Sequence, residues 1–171
     1  MELTEYQKSF IEGWGNMGQR WGIGRADALV HGLLYISPRE LAAEEIGTTL
    51  GMARSNLSGA LRRLEDWGLI YKEARMGERR AYYHAETDVW TIAQRIIAER
   101  KKREVDGALR GVEECLLAAN EAGDKLTAER MVAMRGLIGD ACRCAELALT
   151  SNPRLLKSAA QAASTLFRWT H

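Results

Sequence analysis

The chain has 171 residues, of which 46% are hydrophobic and 27% charged, with a net charge of +1. That suffices for one ordinary domain, or a small domain plus an oligomerisation element, and excludes a disordered polyelectrolyte. Two prolines exclude a Pro-rich stalk or linker, and no run of 18 uncharged apolar residues predicts a membrane span.

The N-terminal order Met1-Glu2-Leu3-Thr4-Glu5 is not the basic-then-apolar order of a signal peptide, so the expected compartment is the cytoplasm. Residues 4–21 are predicted helical. Tyr6, Phe10, Trp14 and Trp21 share one face by their spacing, and Gly13, Gly15, Gly18 and Gly22 predict a kink or an early end. A second helix is predicted over 25–36, with Ala28, Leu29, Gly32, Leu33 and Tyr35 inward and Ser37-Pro38 as its end. A short helix over 41–50 follows, stopped by Gly51.

Another helix is predicted from Arg54 to Trp67, with Leu57, Ala60, Leu61 and Leu64 inward and Gly68 as its close. Ala53 before it has no capping group, which leaves Ser55 as the alternative cap and shifts the start by a residue or two. The period then changes. Residues 69–74 and 81–85 are predicted strands of a hairpin whose tip is Arg75-Met76-Gly77-Glu78-Arg79-Arg80. Thr87-Asp88 can cap a long helix from Val89 to about Ala122, in which Gly107 and Gly111 allow a bend. Asp124 or Thr127 caps another helix to about Thr150, broken by Asn152-Pro153, and a last helix is predicted over 154–169.

Charge is polarised along the chain. Residues 1–53 carry 4 basic and 7 acidic side chains, residues 54–110 carry 13 and 9, and residues 111–171 carry 7 of each. A basic middle segment is the footprint of a surface that faces phosphates. The fold expected is mainly α with a small β-hairpin wing, a winged helix-turn-helix plus a helical dimerisation region. Its parts are an N-terminal helix for dimerisation and effector packing (1–24), a DNA-binding domain (25–87) and the dimerisation region (88–171).

In such a unit the second helix enters the major groove. Arg54, Ser55, Asn56 and Ser58 are polar residues the core does not need, of types that read bases or phosphates. Arg62 and Arg63 sit further along, within reach of the backbone. Arg75, Arg79 and Arg80 place a basic wing tip against phosphates or the minor groove. Arg100-Lys101-Lys102-Arg103 reads either as a solvated helix face or as a further phosphate contact.

The stretch GLLYISPRELAAEEIGTTLGMARSNLSGALRRLEDWGLI (Gly32 to Ile70) and the wing GERRAYYHAE (Gly77 to Glu86) resemble the winged-helix domain of MarR-type transcriptional regulators, in particular the GbsR-like branch. The resemblance includes the pair Trp67-Gly68 and covers roughly the first 105 residues well. It implies a homodimeric repressor on a pseudo-palindromic operator, associated with osmoprotectant genes and in some members responsive to choline. Trp14, Trp21, Tyr35, Trp67 and Trp90 are the candidate aromatic faces for such a cation.

Other chemistry has little support. His31, His84 and His171 lack metalloprotease spacing, and no P-loop, nucleophile elbow or dinucleotide loop is present, so no enzyme, metal or cofactor is expected. Cys115, Cys142 and Cys144 form no disulfide framework, and their expected role is as buried thiols. Cys142 and Cys144 are turned roughly 200° apart on a helix and cannot pair with each other. The competing readings are a thiol-based redox switch bridging subunits, and a winged-helix protein–protein adaptor that does not bind DNA.

Overall fold

Seven α-helices and three short strands follow from this pattern in the computed structural model, which describes residues 2–78 and 80–150. The chain divides into two compact units, residues 1–96 and 97–171.

The first unit begins with α1 (Glu5–Arg20). Thr4 opens it with a capping box: the Thr4 hydroxyl accepts from the Gln7 amide, and the Gln7 side chain accepts from the Thr4 amide. α1 runs unbroken, contrary to the kink its glycines suggest. Those glycines serve packing. A Cβ on Gly18 would sit 2.5 Å from the Ala28 Cβ, and one on Gly15 would sit 2.8 Å from Leu29, so α1 lies close against α2 (Arg25–Ile36). The buried seam is therefore Ile11, Gly15 and Gly18, whereas Tyr6 and Phe10 are exposed. The aromatic spacing marks a face that is not this unit's core. Gly13 has open space around it. Gly13→Ala should thus stabilise by up to about 1 kcal/mol through helix propensity. Gly18→Ala should destabilise by about 1–2 kcal/mol through overpacking; urea unfolding of the two variants checks the opposite signs.

Next come β1 (Leu41–Ala42), α3 (Ala43–Leu50) and α4 (Arg54–Asp66). The start of the predicted 41–50 helix is thus a strand. Its two residues pair antiparallel with β3, Leu41 opposite Tyr83 and Ala42 opposite Tyr82. Glu45 starts α3 by accepting from the Ala42 amide, and the Arg39 guanidinium bonded to it holds its carboxyl down at about 2. Gly51 ends α3 with φ +60, a left-handed position suited to glycine. The wing is β2 (Ile70–Ala74) with β3 (Ala81–Ala85), and the sheet order is β1-β3-β2. Leu33, Leu41, Ile46, Leu64, Leu69 and Ile70 are fully buried and join helices to sheet. This is a winged helix-turn-helix. The start of α5 (Val89–Arg100) completes the unit, its first turn capped by Asp88, which accepts from the Thr91 amide at 2.7 Å.

In the second unit, the predicted long helix is interrupted by one π-helical turn, Lys101–Val105, before α6 (Asp106–Glu121). Gly107 and Gly111 lie beyond that interruption, inside regular helix. Gly123, at φ +70, turns the chain, and Asp124 caps α7 (Lys125–Thr150) by accepting from the Thr127 amide and hydroxyl. α6 and α7 pack on each other, and Lys101 pairs with Glu146. Leu117, Leu126, Leu137 and Leu147 are each more than half exposed. Cys115 and Cys144 are exposed and Cys142 is half-buried, which corrects the expectation of buried thiols. The predicted break at Asn152-Pro153 and the helix over 154–169 lie outside the described residues. Among the described residues, no helix is long and apolar enough to cross a membrane.

Candidate nucleic-acid interface

α4 presents its inward stripe, Leu57, Ala60, Leu61 and Leu64, to the core. What remains outward is polar. Arg54, Ser55, Asn56, Ser58 and Arg62 are all exposed and make no side-chain hydrogen bond or ion pair among the described residues. With roughly 100° of rotation per residue, Ser55 and Arg62 stand at the outer crest, Arg54 and Ser58 on one flank and Asn56 on the other. Arg54, Ser58, Arg62 and Lys72 line one groove of about 740 Å³ beside α3. Asn56 does not border it.

The helix starts at Arg54, with Ala53 as its N-cap and no side-chain cap bond. The shifted start with Ser55 as cap is therefore not what the chain adopts. The first amides of α4 lack a side-chain acceptor and carry the positive end of the helix dipole.

Arg63, next to Arg62, is spent differently. It makes a two-pronged ion pair with Asp27, Nε to Oδ2 at 2.8 Å and Nη2 to Oδ1 at 2.6 Å. Asp27 is 2% exposed, at the start of α2. The pair pins α4 against α2 from 36 positions away, so Arg63 positions the helix and does not reach outward for the backbone as sequence suggested. Adjacency to Arg62 gave no sign of this; the candidate partner, the one acidic residue of the largely apolar α2, was the available signal.

The wing tip is partly self-neutralised. Arg75 pairs with Glu40 at 2.9 Å and lies over the Tyr82 ring at 4.1 Å. Arg80 stands 3.8 Å from Glu44, both well exposed. Arg79 lies outside the described residues. The base of the wing is tied by Glu86, which accepts from the Tyr71 hydroxyl and the Thr87 and Asp88 amides, and pairs with Arg95. The Asp88 amide is foremost in holding the Glu86 carboxyl below its ordinary range. Arg95 also donates to the Gly68 carbonyl, where Trp67-Gly68 closes α4.

The five predicted effector aromatics are distributed. Trp14 and Tyr35 both stack on His31, at 5.8 and 6.1 Å, with Phe10 against Trp14 and Tyr35. Trp67 packs on the core as the C-cap of α4, Trp21 is half exposed at the end of α1, and Trp90 is half-buried in the first turn of α5. His31 was not anticipated as the centre of that stack. It is 2% exposed, its Nε2 has no hydrogen-bond partner among the described residues, and burial pushes its pKa down to about 4. Arg100 immediately precedes the π-helical turn of the second unit, and Lys102 and Arg103 lie within it and are exposed.

Comparisons with known proteins agree with this architecture. The first unit has the class of a winged helix-turn-helix module, and residues 21–81 match the model of the MarR family. A crystal structure of a transcriptional regulator is similar over 84% of this chain and 95% of that one, at 21% identity and a TM-score of 0.64, which establishes a shared fold. The transcriptional regulator Tm0710 from Thermotoga maritima matches at 19% identity over 76% of this chain and 90% of that one, with a TM-score of 0.40. MepR of S. aureus in its DNA-binding conformation matches at 18% identity over 77% and 93%, with a TM-score of 0.39. No match was found among curated proteins.

Proposed function

We propose that this protein is a MarR-type, sequence-specific DNA-binding transcriptional regulator that acts as a homodimer on a pseudo-palindromic operator. The observation that carries the reading is the outward face of α4: five polar side chains without partners among the described residues, on a helix anchored from behind by Arg63 and Asp27. Arg62 and Ser55 at the crest approach the major groove first, and Arg54 and Asn56 reach to either side. The unsatisfied amides at the start of α4 suit a phosphate. The wing arginines exchange Glu40 and Glu44 for phosphates; both pairs are exposed, and such pairs hold only about 0–1 kcal/mol.

A single wing unit binds non-specific DNA at about 10⁻⁴ to 10⁻⁶ M. Two copies read half-sites about one helical turn apart and so gain specificity. The exposed leucines of α6 and α7 supply the apolar surface that a second copy would cover. Repression, the GbsR-like branch and control of osmoprotectant genes follow from the likeness of Gly32–Ile70 and the wing to that branch. Choline is the effector that goes with it. Trp14 and Tyr35, both half-buried beside His31, are the aromatic faces available in one stack. Tryptophan emission that stays flat at millimolar choline would remove this effector.

Gel shifts at two salt concentrations test the DNA reading. Binding that weakens steeply with salt supports it, and salt-independent or absent binding points to the adaptor. Asn56→Ala should relax specificity at one base pair, costing about 1–3 kcal/mol there. Arg79→Ala with Arg80→Ala should weaken binding to all sequences and flatten the salt slope. A second reading, a thiol switch, is favoured by the exposure of Cys115 and Cys144. Disulfide-linked dimers on non-reducing gels after peroxide, with release of DNA, would support it.

A further inference from the structure

On the outer face of the wing sheet, the DNA reading treats Glu40 only as the partner Arg75 gives up, and it assigns nothing to Glu73 or His84. Odd-numbered residues of β3 face the core, with Tyr83 and Ala85 buried, so Tyr82 and His84 point the other way. The register sets Tyr71 opposite His84 and Glu73 diagonal to it. Leu41 pairs with Tyr83, which brings Glu40, one residue earlier, alongside His84 on the same outer face. Ligand atoms of Glu40, Glu73 and His84 lie within 4.8 Å of one another.

The imidazole in this group has an unmet need. His84 Nδ1 is shut off from solvent and has no hydrogen-bond partner among the described residues. Glu73 Oε1 faces it at 3.6 Å, too far for a hydrogen bond. The ring is held in place against Tyr71, centroids 5.2 Å apart. A fixed imidazole with an unsatisfied nitrogen, flanked by two carboxylates from two other chain segments, has the donor types of a transition-metal site. Two carboxylates balance the charge of a divalent ion, and a water would supply the fourth ligand.

We propose that Glu40, Glu73 and His84 bind a divalent transition-metal ion of the zinc class on the outer face of the wing. Metal–ligand bonds of about 2.0–2.2 Å put tetrahedral donors about 3.4 Å apart. The three donors close to that spacing by rotation of the two glutamate side chains. The internal competitor for the site is Arg75, which holds Glu40 at 2.9 Å and is itself supported by the Tyr82 ring. Metal capture of Glu40 therefore releases Arg75. The sequence concealed the set because its members lie in three separate segments and share no motif spacing.

The test is calorimetric titration of the full chain with Zn²⁺, with Cys115, Cys142 and Cys144 changed to serine to remove thiol ligands. One equivalent should bind, and His84→Gln and Glu73→Gln should each weaken it at least tenfold. Arg75→Gln should tighten binding several-fold, an effect that a merely structural role for Glu40 would not produce. Co²⁺ should give the visible absorption of a tetrahedral complex, lost in His84→Gln. Unchanged Zn²⁺ binding in both the His84 and Glu73 variants, or Mg²⁺ binding as tight as Zn²⁺, would overturn the assignment. All readouts are made without DNA, so they stand or fall separately from the proposed function.

Discussion

Arg63→Met is expected to lower the unfolding free energy by about 3 kcal/mol, the largest loss of any single exposed-face substitution in α4. The physical reason is an asymmetry. Arg63 is half exposed and can rehydrate when its partner is lost, whereas Asp27 is 2% exposed and cannot. Removing the arginine strands a carboxylate in the core, and breaking such a pair from one side costs about 3–5 kcal/mol when both partners are buried. Here one partner is partly solvated, which places the cost at the lower end. Asp27→Asn with Arg63→Met should recover much of the loss, because neither charge then remains unpaired. Urea unfolding of the single and double variants, closed as a double-mutant cycle, measures the coupling. If the single variant lost no more than about 0.5 kcal/mol, the anchoring role of the pair would be refuted. DNA affinity gives a second readout, since α4 would lose its fixed angle while keeping Arg54, Ser55, Asn56, Ser58 and Arg62 intact.

His31 sets the other large effect, a loss of stability on acidification. Its folded-state pKa is pushed to about 4 by burial, below the ordinary value of 6.5. The unfolded chain therefore takes up a proton at a pH where the folded one does not. Stability is full above pH 6.5 and falls as pH drops through the window from 6.5 to about 4. The total from this group is roughly 3 kcal/mol. Carboxylates such as Glu45 and Glu86, whose pKa values are lowered, add their own losses below that window. The informative quantity is the difference between wild type and His31→Phe, measured by urea unfolding at fixed protein concentration from pH 7.5 to 4.5. The phenyl ring keeps the stack with Trp14 and Tyr35 and removes the orphaned Nε2. The variant's stability curve should be flatter across the window, whatever its value at pH 7.5. Parallel curves would mean that His31 protonates without leaving the folded state.

The helix boundaries near the site were legible because they are local. The 3–4 spacing of Leu57, Ala60, Leu61 and Leu64, and the switch to strand at Ile70, need no partner to be read. β1 was not legible. Leu41 and Ala42 are extended only because Tyr83 and Tyr82 lie opposite them, and two residues carry no period. The α1 seam was not legible for a related reason. Large aromatics dominate any pattern, yet Gly15 and Gly18 make the close approach to α2, and smallness shows as a signal only once the neighbouring helix is present. The π-helical turn at Lys101–Val105 leaves no mark in a stripe of mixed charged residues. Within the site, sequence identified which residues are polar and not which are engaged. Arg62 and Arg63 are the same residue one step apart, separated only by a roughly 100° turn and a distant aspartate. The same limit applies to Arg75 and Arg80, whose carboxylate partners come from β1's approach and from α3.

The pairing of Arg75 with Glu40 and of Arg80 with Glu44 also bears on the order in which contacts form. A cation beside a carboxylate projects little field beyond about 8–10 Å at physiological ionic strength. Among the described residues, Arg54 and Arg62 have no such neighbour in bonding range. If α4 and the wing are the DNA-binding surface proposed above, a polyanion would be drawn first to the helix, and the hairpin would engage afterwards by trading one acidic partner for another. Such a late-closing clasp would delay commitment until the ligand is already aligned.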